Sequence, residues 1–387
     1  MAREAVIAAA FRTPIGKRNG PLKGWHPVDL SGHVLAALAE RTGIDPALVD
    51  DVIWGVVNQV GEQAHNVGRS AVLAAGWPES VPGTTVDRQC GSSQQSIHFA
   101  AAGVVSGQYD LAVAGGVESM TRIPMGSGTP EGTGFPFGPK VFERYNTIFN
   151  QGVGAEMIAK KWKLSRAQLD EFSLGSHEKA IEAINAGRFA GQIIPVPVTS
   201  DDGSLFSFDT DQGVRPGGSL ESLGKLKPAF DPEGVITAGN ASQISDGAAA
   251  LLVTTPERAA ELGLTPLVRV HTAVLAGDDP VLMLTGPIPA TAKALQRSGL
   301  RLDEIGAFEV NEAFASVPLA WLAETGADPK ALNPLGGAIA LGHPLGGSGA
   351  QLATRLIHHM VDNGIRYGLQ TMCEGGGTAN ATIFELI

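Results

Sequence analysis

Apolar residues recur at helical spacing through 28–43, and Ile44-Asp45-Pro46 ends that pattern. An apolar run of strand length follows, Val52-Ile53-Trp54-Gly55-Val56-Val57. The same succession returns late in the chain. A helical pattern over 289–299 leads through Leu302-Asp303-Glu304-Ile305 into the run Ala307-Phe308-Glu309-Val310-Asn311. Two further stretches match in order. Gly91-Ser92-Ser93 opens a helix to Gly107, and a strand over 111–114 ends at Gly115-Gly116. Gly347-Ser348-Gly349 opens a helix to Asn363, and a strand over 367–372 ends near Gly375-Gly376-Gly377. Helix, strand, small-residue turn, helix, strand thus occurs twice, which is a two-copy duplication and not a solenoid. The N-terminal run through Ala10 reads as a first strand. Strands alternating with helices predict an α/β fold with parallel sheets covered on both faces.

Residues 119–246 break this rhythm. The stretch 124–139 is rich in glycine and proline, helical patterns cover 154–163 and 166–187 with Ser165 as cap of the second, and 201–218 is polar and loop-like. The segment reads as an insertion carried on the first half, placed to cover a substrate. The expected division is 1–118 with 247–265 as the N-terminal half, 119–246 as the inserted loop domain, and 266–387 as the C-terminal half.

Composition narrows the function classes. Glycine supplies 50 of 387 residues, about twice the usual share, so tight turns and close backbone approaches are expected. A net charge of −11 argues against a nucleic-acid binder, but local cations or helix N-termini can still hold an anionic substrate. No apolar stretch is long enough to span a membrane. The N-terminal run is too short for a secretory signal, and two cysteines make no disulfide framework, so a cytoplasmic protein is expected.

Both cysteines sit in glycine-rich frames, Cys90 in Asp87-Arg88-Gln89-Cys90-Gly91-Ser92-Ser93 and Cys373 in Thr371-Met372-Cys373-Glu374-Gly375-Gly376-Gly377. Gly342-His343-Pro344 lies in a third such segment. Taken alone, a buried cysteine is more often a small hydrophobe and a lone histidine a satisfied core residue. The shared frames instead suggest covalent catalysis on a carbonyl. Cys90 follows the strand-like Gly83-Thr84-Thr85-Val86 and precedes a helix, where the dipole would lower its pKa and backbone N–H groups would stabilise an oxyanion. His343 is placed to take the Cys90 proton. Cys373 would move a proton to and from carbon, with the Gly375 N–H nearby. Asn311, at a strand's C-terminal end, would hold a water or a carbonyl, or cap the next helix. Cysteines this far apart with one histidine make no zinc pattern, so no metal is expected.

The blocks Asp87-Arg88-Gln89-Cys90-Gly91-Ser92, Asn311-Glu312-Ala313-Phe314, Gly342-His343-Pro344 and Cys373-Glu374-Gly375-Gly376-Gly377 resemble the four signature blocks of the thiolases. Thr237-Ala238-Gly239-Asn240-Ala241-Ser242 and Ser245-Asp246-Gly247-Ala248-Ala249 look like a further thiolase segment, and the likeness runs from Arg12-Thr13-Pro14-Ile15-Gly16 to the C-terminus. The resemblance implies two α/β halves in five layers with an inserted loop domain. It implies an acyltransferase that cleaves a 3-oxoacyl-CoA to acetyl-CoA and a shortened acyl-CoA through an acyl-Cys90 intermediate. The reverse reaction is a Claisen condensation. One oxyanion hole would be His343 with a water on Asn311, the other the N–H groups of Cys90 and Gly375. Arg215, Ser222, Ser242, Ala313 and Phe314 match residues that bind CoA, which is a co-substrate; no permanently bound cofactor is implied. A homodimer or homotetramer is expected.

The chain departs from the short-chain members at Asn150-Gln151, where acetoacetyl-CoA enzymes have His-Met against the acyl group. That argues against a purely acetoacetyl-CoA role. With Ser242-Gln243-Ile244-Ser245-Asp246-Gly247, the pair looks like actinobacterial degradative thiolases, including those of steroid side chains. The alternatives are a biosynthetic acetoacetyl-CoA thiolase, a ketosynthase lacking the second thiol, or a non-catalytic acyl-CoA carrier.

Overall fold

A computed structural model describes residues 3–129, 132, 134–200 and 202–387. Met1 and Ala2 of the expected first strand, and Pro130, Glu131, Thr133 and Asp201 of the expected loops, lie outside the described residues. The first half contributes β1 (Val6–Arg12), β2 (Gly16–Lys17), α1 (Pro27–Thr42), β3 (Asp51–Gly55), α2 (Val67–Ala74), β4 (Gly83–Val86), α3 (Ser92–Ser106) and β5 (Leu111–Ser119). The chain then leaves the sheet for α4 (Pro139–Tyr145), α5 (Gln151–Lys161), α6 (Arg166–Asn185), β6 (Val196–Thr199), β7 (Leu205–Phe208) and α7 (Leu220–Gly224). It returns as β8 (Ser245–Thr254) and α8 (Pro256–Glu261). The second half is β9 (Val268–Gly277), α9 (Pro287–Ser298), β10 (Ala307–Val310), α10 (Ser316–Thr325), α11 (Ala338–Leu341), α12 (Leu345–Asn363), β11 (Tyr367–Glu374) and β12 (Thr378–Leu386).

The strands run β10-β11-β12-β9-β1-β8-β5-β3-β4, and β2 pairs with β8. The halves meet at a narrow seam, where Val6 pairs with Arg269 and Ile7 with Val268. About this seam the order repeats: β9, β12, β11 and β10 answer β1, β8, β5 and β3. An isolated bridge from Phe308 to Leu332 stands where β4 stands beside β3.

Alternation along the strands sets the layers. Val52 and Trp54 of β3 face α1 and α2 through Leu30, Val34 and Val72, whereas Ile53 faces the other way. On that other side lie Ile97 and Val104 of α3, Leu356 and Ile357 of α12, and Phe384 of the second half. Beyond it, Phe308, Leu369 and Ile383 pack on α9 and on Trp321 of α10. The result is five layers, with α3 and α12 in the middle between two sheets.

Two expectations need correction. The sheets are mixed: β3–β4, β3–β5 and β10–β11 are parallel, and the remaining pairs are antiparallel. A short hairpin joins β11 to β12, with Gly376 and Gly377 at φ 82° and 76°, and so short a link can join only antiparallel strands. Nor does β5 stop at Gly115-Gly116; it continues to Ser119. Those glycines are instead a crossing point. A Cβ at Gly116 would meet Gly55 O at 2.6 Å and Ser93 Cβ at 2.8 Å, and one at Gly55 would meet Ser92 C at 2.6 Å and Gly346 O at 2.8 Å. The N-termini of α3 and α12 are pressed together here against bare sheet backbone. No helix of the described residues is long and apolar enough to cross a membrane.

Candidate active site

Cys90 lies between β4 and α3 on a tight elbow. Gln89 takes φ 48°, its N–H donates to Asp87 Oδ1 at 2.7 Å, and the Gly91 N–H donates to Arg88 O at 3.1 Å. Ser92 closes the elbow, accepting from the Arg88 N–H at 2.9 Å and donating to Gln89 O at 2.6 Å. The thiol is buried. The expected acidic thiol is not what this setting produces. Burial, with the charges of Glu374 and Glu118, pushes the Cys90 pKa up to about 12, although a Gln151 hydrogen bond to the sulfur and the elbow's own N–H pull it down. Desolvation outweighs the helix N-terminus.

His343 enters at the equivalent place before α12. Gly342 has φ 114°, and a Cβ there would run into Ser245, so the turn admits no larger residue. The His343 N–H donates to Ser245 Oγ at 3.2 Å, and Nδ1 lies 2.6 Å from Ser348 Oγ. Ser348 donates its own proton to Pro344 O at 2.9 Å, so its oxygen accepts from Nδ1–H. Nε2 is left bare as the basic nitrogen. Burial lowers the His343 pKa to about 4, so the ring is neutral. Asn311 Nδ2 lies 3.5 Å from Nε2, and Asn311 Oδ1 is buried with no protein partner.

Cys373 is buried near the end of β11; burial and the Cys90 charge push its pKa up, while Asn311 hydrogen-bonds to the thiol. Gly375 follows at the hairpin, where a Cβ would meet Gln89 Oε1 at 2.8 Å, so it lies against the Cys90 elbow. The structure therefore brings Cys90, His343, Asn311 and Cys373 into one buried centre from both halves, with half-buried Gly375 at its edge.

The pair Asn150-Gln151 divides. Gln151 reaches the Cys90 sulfur. Asn150 is the N-cap of α5, its Oδ1 accepting from the N–H groups of Gly152 at 3.0 Å and Val153 at 3.1 Å, so its amide oxygen is committed to the helix and not to an acyl chain. Among the CoA candidates, Ala313 and Phe314 are buried, Ser242 N–H donates to Ala313 O at 2.9 Å, and Phe314 meets the Phe230 ring edge-on at 5.8 Å. Ser222 is exposed on α7; Leu223 of that helix and Leu226 just beyond it crowd Gly239, ahead of Ser242. Arg215 is exposed, with its N–H donating to His177 Nδ1 at 3.2 Å.

Sequence reasoning missed Ser348 and Glu118. The buried Glu118 carboxylate accepts from the N–H groups of Val57 at 2.9 Å, Asn58 at 3.1 Å and Gly346 at 2.8 Å, and from Gln63 at 2.7 Å, tying the α12 N-terminus to the first half.

Residues 5–257 match the thiolase N-terminal domain family and 264–386 the thiolase C-terminal domain family. The chain belongs to the thiolase family. It is thus an acyltransferase whose chemistry is CoA-dependent cleavage of 3-oxoacyl-CoA or the reverse. This thiolase is 50% identical to the steroid 3-ketoacyl-CoA thiolase FadA6 of Mycobacterium tuberculosis, over 99% of this chain and 94% of that one. It is 43% identical to a 3-ketoacyl-CoA thiolase of Pseudoalteromonas translucida, over 99% of this chain and 98% of that one. Among solved structures, the acetyl-CoA acetyltransferase of Bacillus anthracis superposes with a TM-score of 0.91 at 37% identity, covering 100% of this thiolase and 99% of that chain.

Proposed function

We propose that this thiolase works in the degradative direction on 3-oxoacyl-CoA esters bulkier than acetoacetyl-CoA, with Cys90 as nucleophile, His343 as base and CoA as co-substrate. The observation that carries the assignment is the bare Nε2 of His343, left by the Nδ1–H bond to Ser348 and facing the Asn311 amide. With a neutral thiol and a neutral ring at rest, the proton leaves Cys90 for Nε2 as sulfur attacks the substrate ketone. The C2–C3 bond then breaks, acyl stays on Cys90, and the acetyl-CoA enolate takes a proton from Cys373. Burial keeps Cys373 in the protonated form that this step needs. The resulting thiolate accepts the proton of incoming CoA, whose sulfur attacks acyl-Cys90; the shortened acyl-CoA leaves, and the expelled Cys90 sulfur takes back its proton from His343 Nε2.

The substrate class rests on Gln151 beside the Cys90 sulfur and on relatives named for 3-ketoacyl and steroid 3-ketoacyl thiolysis. Arg215, Ser222, Ser242, Ala313 and Phe314 would line the CoA path. A homo-oligomer in a reducing cytoplasm fits two free thiols and the unpaired outer edge of β4. Thiolysis of a panel from acetoacetyl-CoA to a steroid side-chain 3-oxoacyl-CoA tests the reading. A higher kcat/KM for the bulky esters is expected, and acetoacetyl-CoA as the best substrate would overturn it.

A further inference from the structure

The proposed mechanism gives no task to the carboxyl group beside Cys373. Glu374 is fully buried. It faces Thr378 across the β11–β12 ladder, and Asn380 faces Met372 one step along. These four residues share one face of the sheet, with Glu374 and Asn380 on its diagonal. It is the face whose Met372 packs with Cys90. Thr378 Oγ1 donates to Glu374 Oε2 at 2.7 Å, and Asn380 Nδ2 donates to the Gly91 carbonyl at 3.0 Å. Gly91 is wedged between them. A Cβ there would collide with Glu374 Oε1 and lie 2.7 Å from Asn380 Nδ2.

Two oxygens on this face have no donor, Glu374 Oε1 and Asn380 Oδ1, and both are buried. A carboxylate would leave two bare acceptors in the core, each stripped of water with no hydrogen bond in return. A single proton on Oε1 would make that atom a donor, and Asn380 Oδ1, on the same diagonal and without a donor of its own, is an acceptor able to take it.

We propose that Glu374 is a positioning residue for the nucleophile and works as the neutral acid. Its proton, given to Asn380 Oδ1, completes a relay from Thr378 through Glu374 and Asn380 to the Gly91 carbonyl that seats the Cys90 elbow. Loss of that proton sets a negative charge beside both thiols. The surroundings agree. Burial pushes the Glu374 pKa up to about 7; Asp87 pushes the same way, while Thr378 and Arg88 oppose it. Cys90 and Cys373 both feel the Glu374 charge as an upward push. Among the described residues, Asp87 and Arg88 on the elbow and these two thiols are the titratable and charged groups that interact with the carboxyl. The neutral form prevails below its pKa, so ionisation opposes thiolate formation as pH rises past neutrality.

The inference rests on Cys90 being the nucleophile, and the test keeps the two apart. The full chain, Glu374→Gln and Glu374→Ala are alkylated with iodoacetamide from about pH 5.5 to about pH 9.5, spanning the ordinary carboxyl-to-thiol range. Peptide mass spectrometry reports where the adduct sits. An adduct absent from Cys90 strikes the nucleophile assignment, whereas the pH profile at Cys90 judges Glu374. Gln keeps a donor for Asn380 and an acceptor for Thr378 but cannot ionise. The wild-type profile should bend near neutrality. Glu374→Gln should match it on the acid side and rise without the bend, exceeding it by about tenfold on the alkaline side, the effect of roughly one pKa unit. Glu374→Ala should be slower than Glu374→Gln throughout. A wild-type profile without the bend, a Gln profile superimposed on wild type, a Gln variant slow on the acid side, or equal Ala and Gln rates would each overturn the proposal. If Glu374→Gln does not fold, the wild-type bend and infrared titration of its buried carboxyl band decide.

Discussion

His343 Nδ1 and Ser348 Oγ lie 2.6 Å apart, and this contact decides which imidazole nitrogen is basic. Ser348→Ala removes the acceptor and lets the ring take either tautomer. Acetylation of Cys90 by acetyl-CoA, followed as a burst, should slow by about 10²-fold, less than the roughly 10⁴ seen where a tautomer is inverted outright. Ser348→Thr should restore most of the rate. The folded His343 pKa is lowered to about 4, so the neutral base persists as pH falls to that value. His343 protonation should therefore take no rate from the burst between neutrality and about pH 5.

Asn311→Ala removes the amide facing Nε2 and the unpartnered Oδ1. Steady-state kcat should fall by about 10²–10³-fold with little change in KM, the signature of a lost transition-state donor. An unchanged kcat would reduce Asn311 to a structural residue.

Cys373→Ala should still be acetylated on Cys90, because that step needs nucleophile and base alone. It should fail to exchange the acetyl methyl protons in deuterated water, which needs the second thiol. Proton NMR of the acetyl-CoA pool reads this directly. Full exchange by the variant would remove Cys373 from the carbon chemistry.

Gln151→Met withdraws the hydrogen bond that lowers the Cys90 pKa. The alkylation profile should move to higher pH. The preference for bulky over acetoacetyl esters, read as a ratio of kcat/KM values, should shrink by about tenfold, the scale of one pocket contact. A ratio that does not move would show that Gln151 plays no part in selection.

Asp211→Ala tests how the insert is anchored to the first half. Arg12 and Asp211 form a two-pronged ion pair at 2.7 and 2.8 Å, with both side chains at 0% exposure. Removing one partner leaves a buried guanidinium and should cost about 3–5 kcal/mol in urea unfolding. Replacing both by apolar residues of similar size should cost less.

The grouping of Cys90, His343 and Cys373 was legible because each stands in a short glycine-rich frame, and close packing of α3, α12 and the hairpin demands glycine there; Asn311 has no such frame. The longer helices α1, α3, α6, α9 and α12 were legible by the same periodicity that layers them, whereas β8, β9 and β12, strands at the middle of the strand order, were not read as strands at all. What stayed hidden depends on partners remote in sequence. Glu118 acts through Gly346, 228 residues away, and no local pattern announces that. The thiol acidity was misread because burial is a property of the assembled layers, whereas a helix N-terminus is visible locally. Asn150 was misread for a different reason. Asn ahead of a helical run is a capping signal, and placing the start of α5 at 154 concealed it. The antiparallel pairing of β11 and β12 was also foreshadowed, since three glycines between two apolar runs leave room for a hairpin and not for a crossover.

Cys90 stands two residues ahead of α3, and His343 stands two residues ahead of α12, the matching helix of the other half. In an assembly of two identical halves, any side chain at that station would face its own copy across the axis, thiol to thiol or ring to ring. Unlike groups at that one matching station are barred by such symmetry. Carrying both copies on one chain lifts the bar, because each station can then mutate alone. Thiol at one station and imidazole at the other is thus an arrangement that two identical halves could not hold.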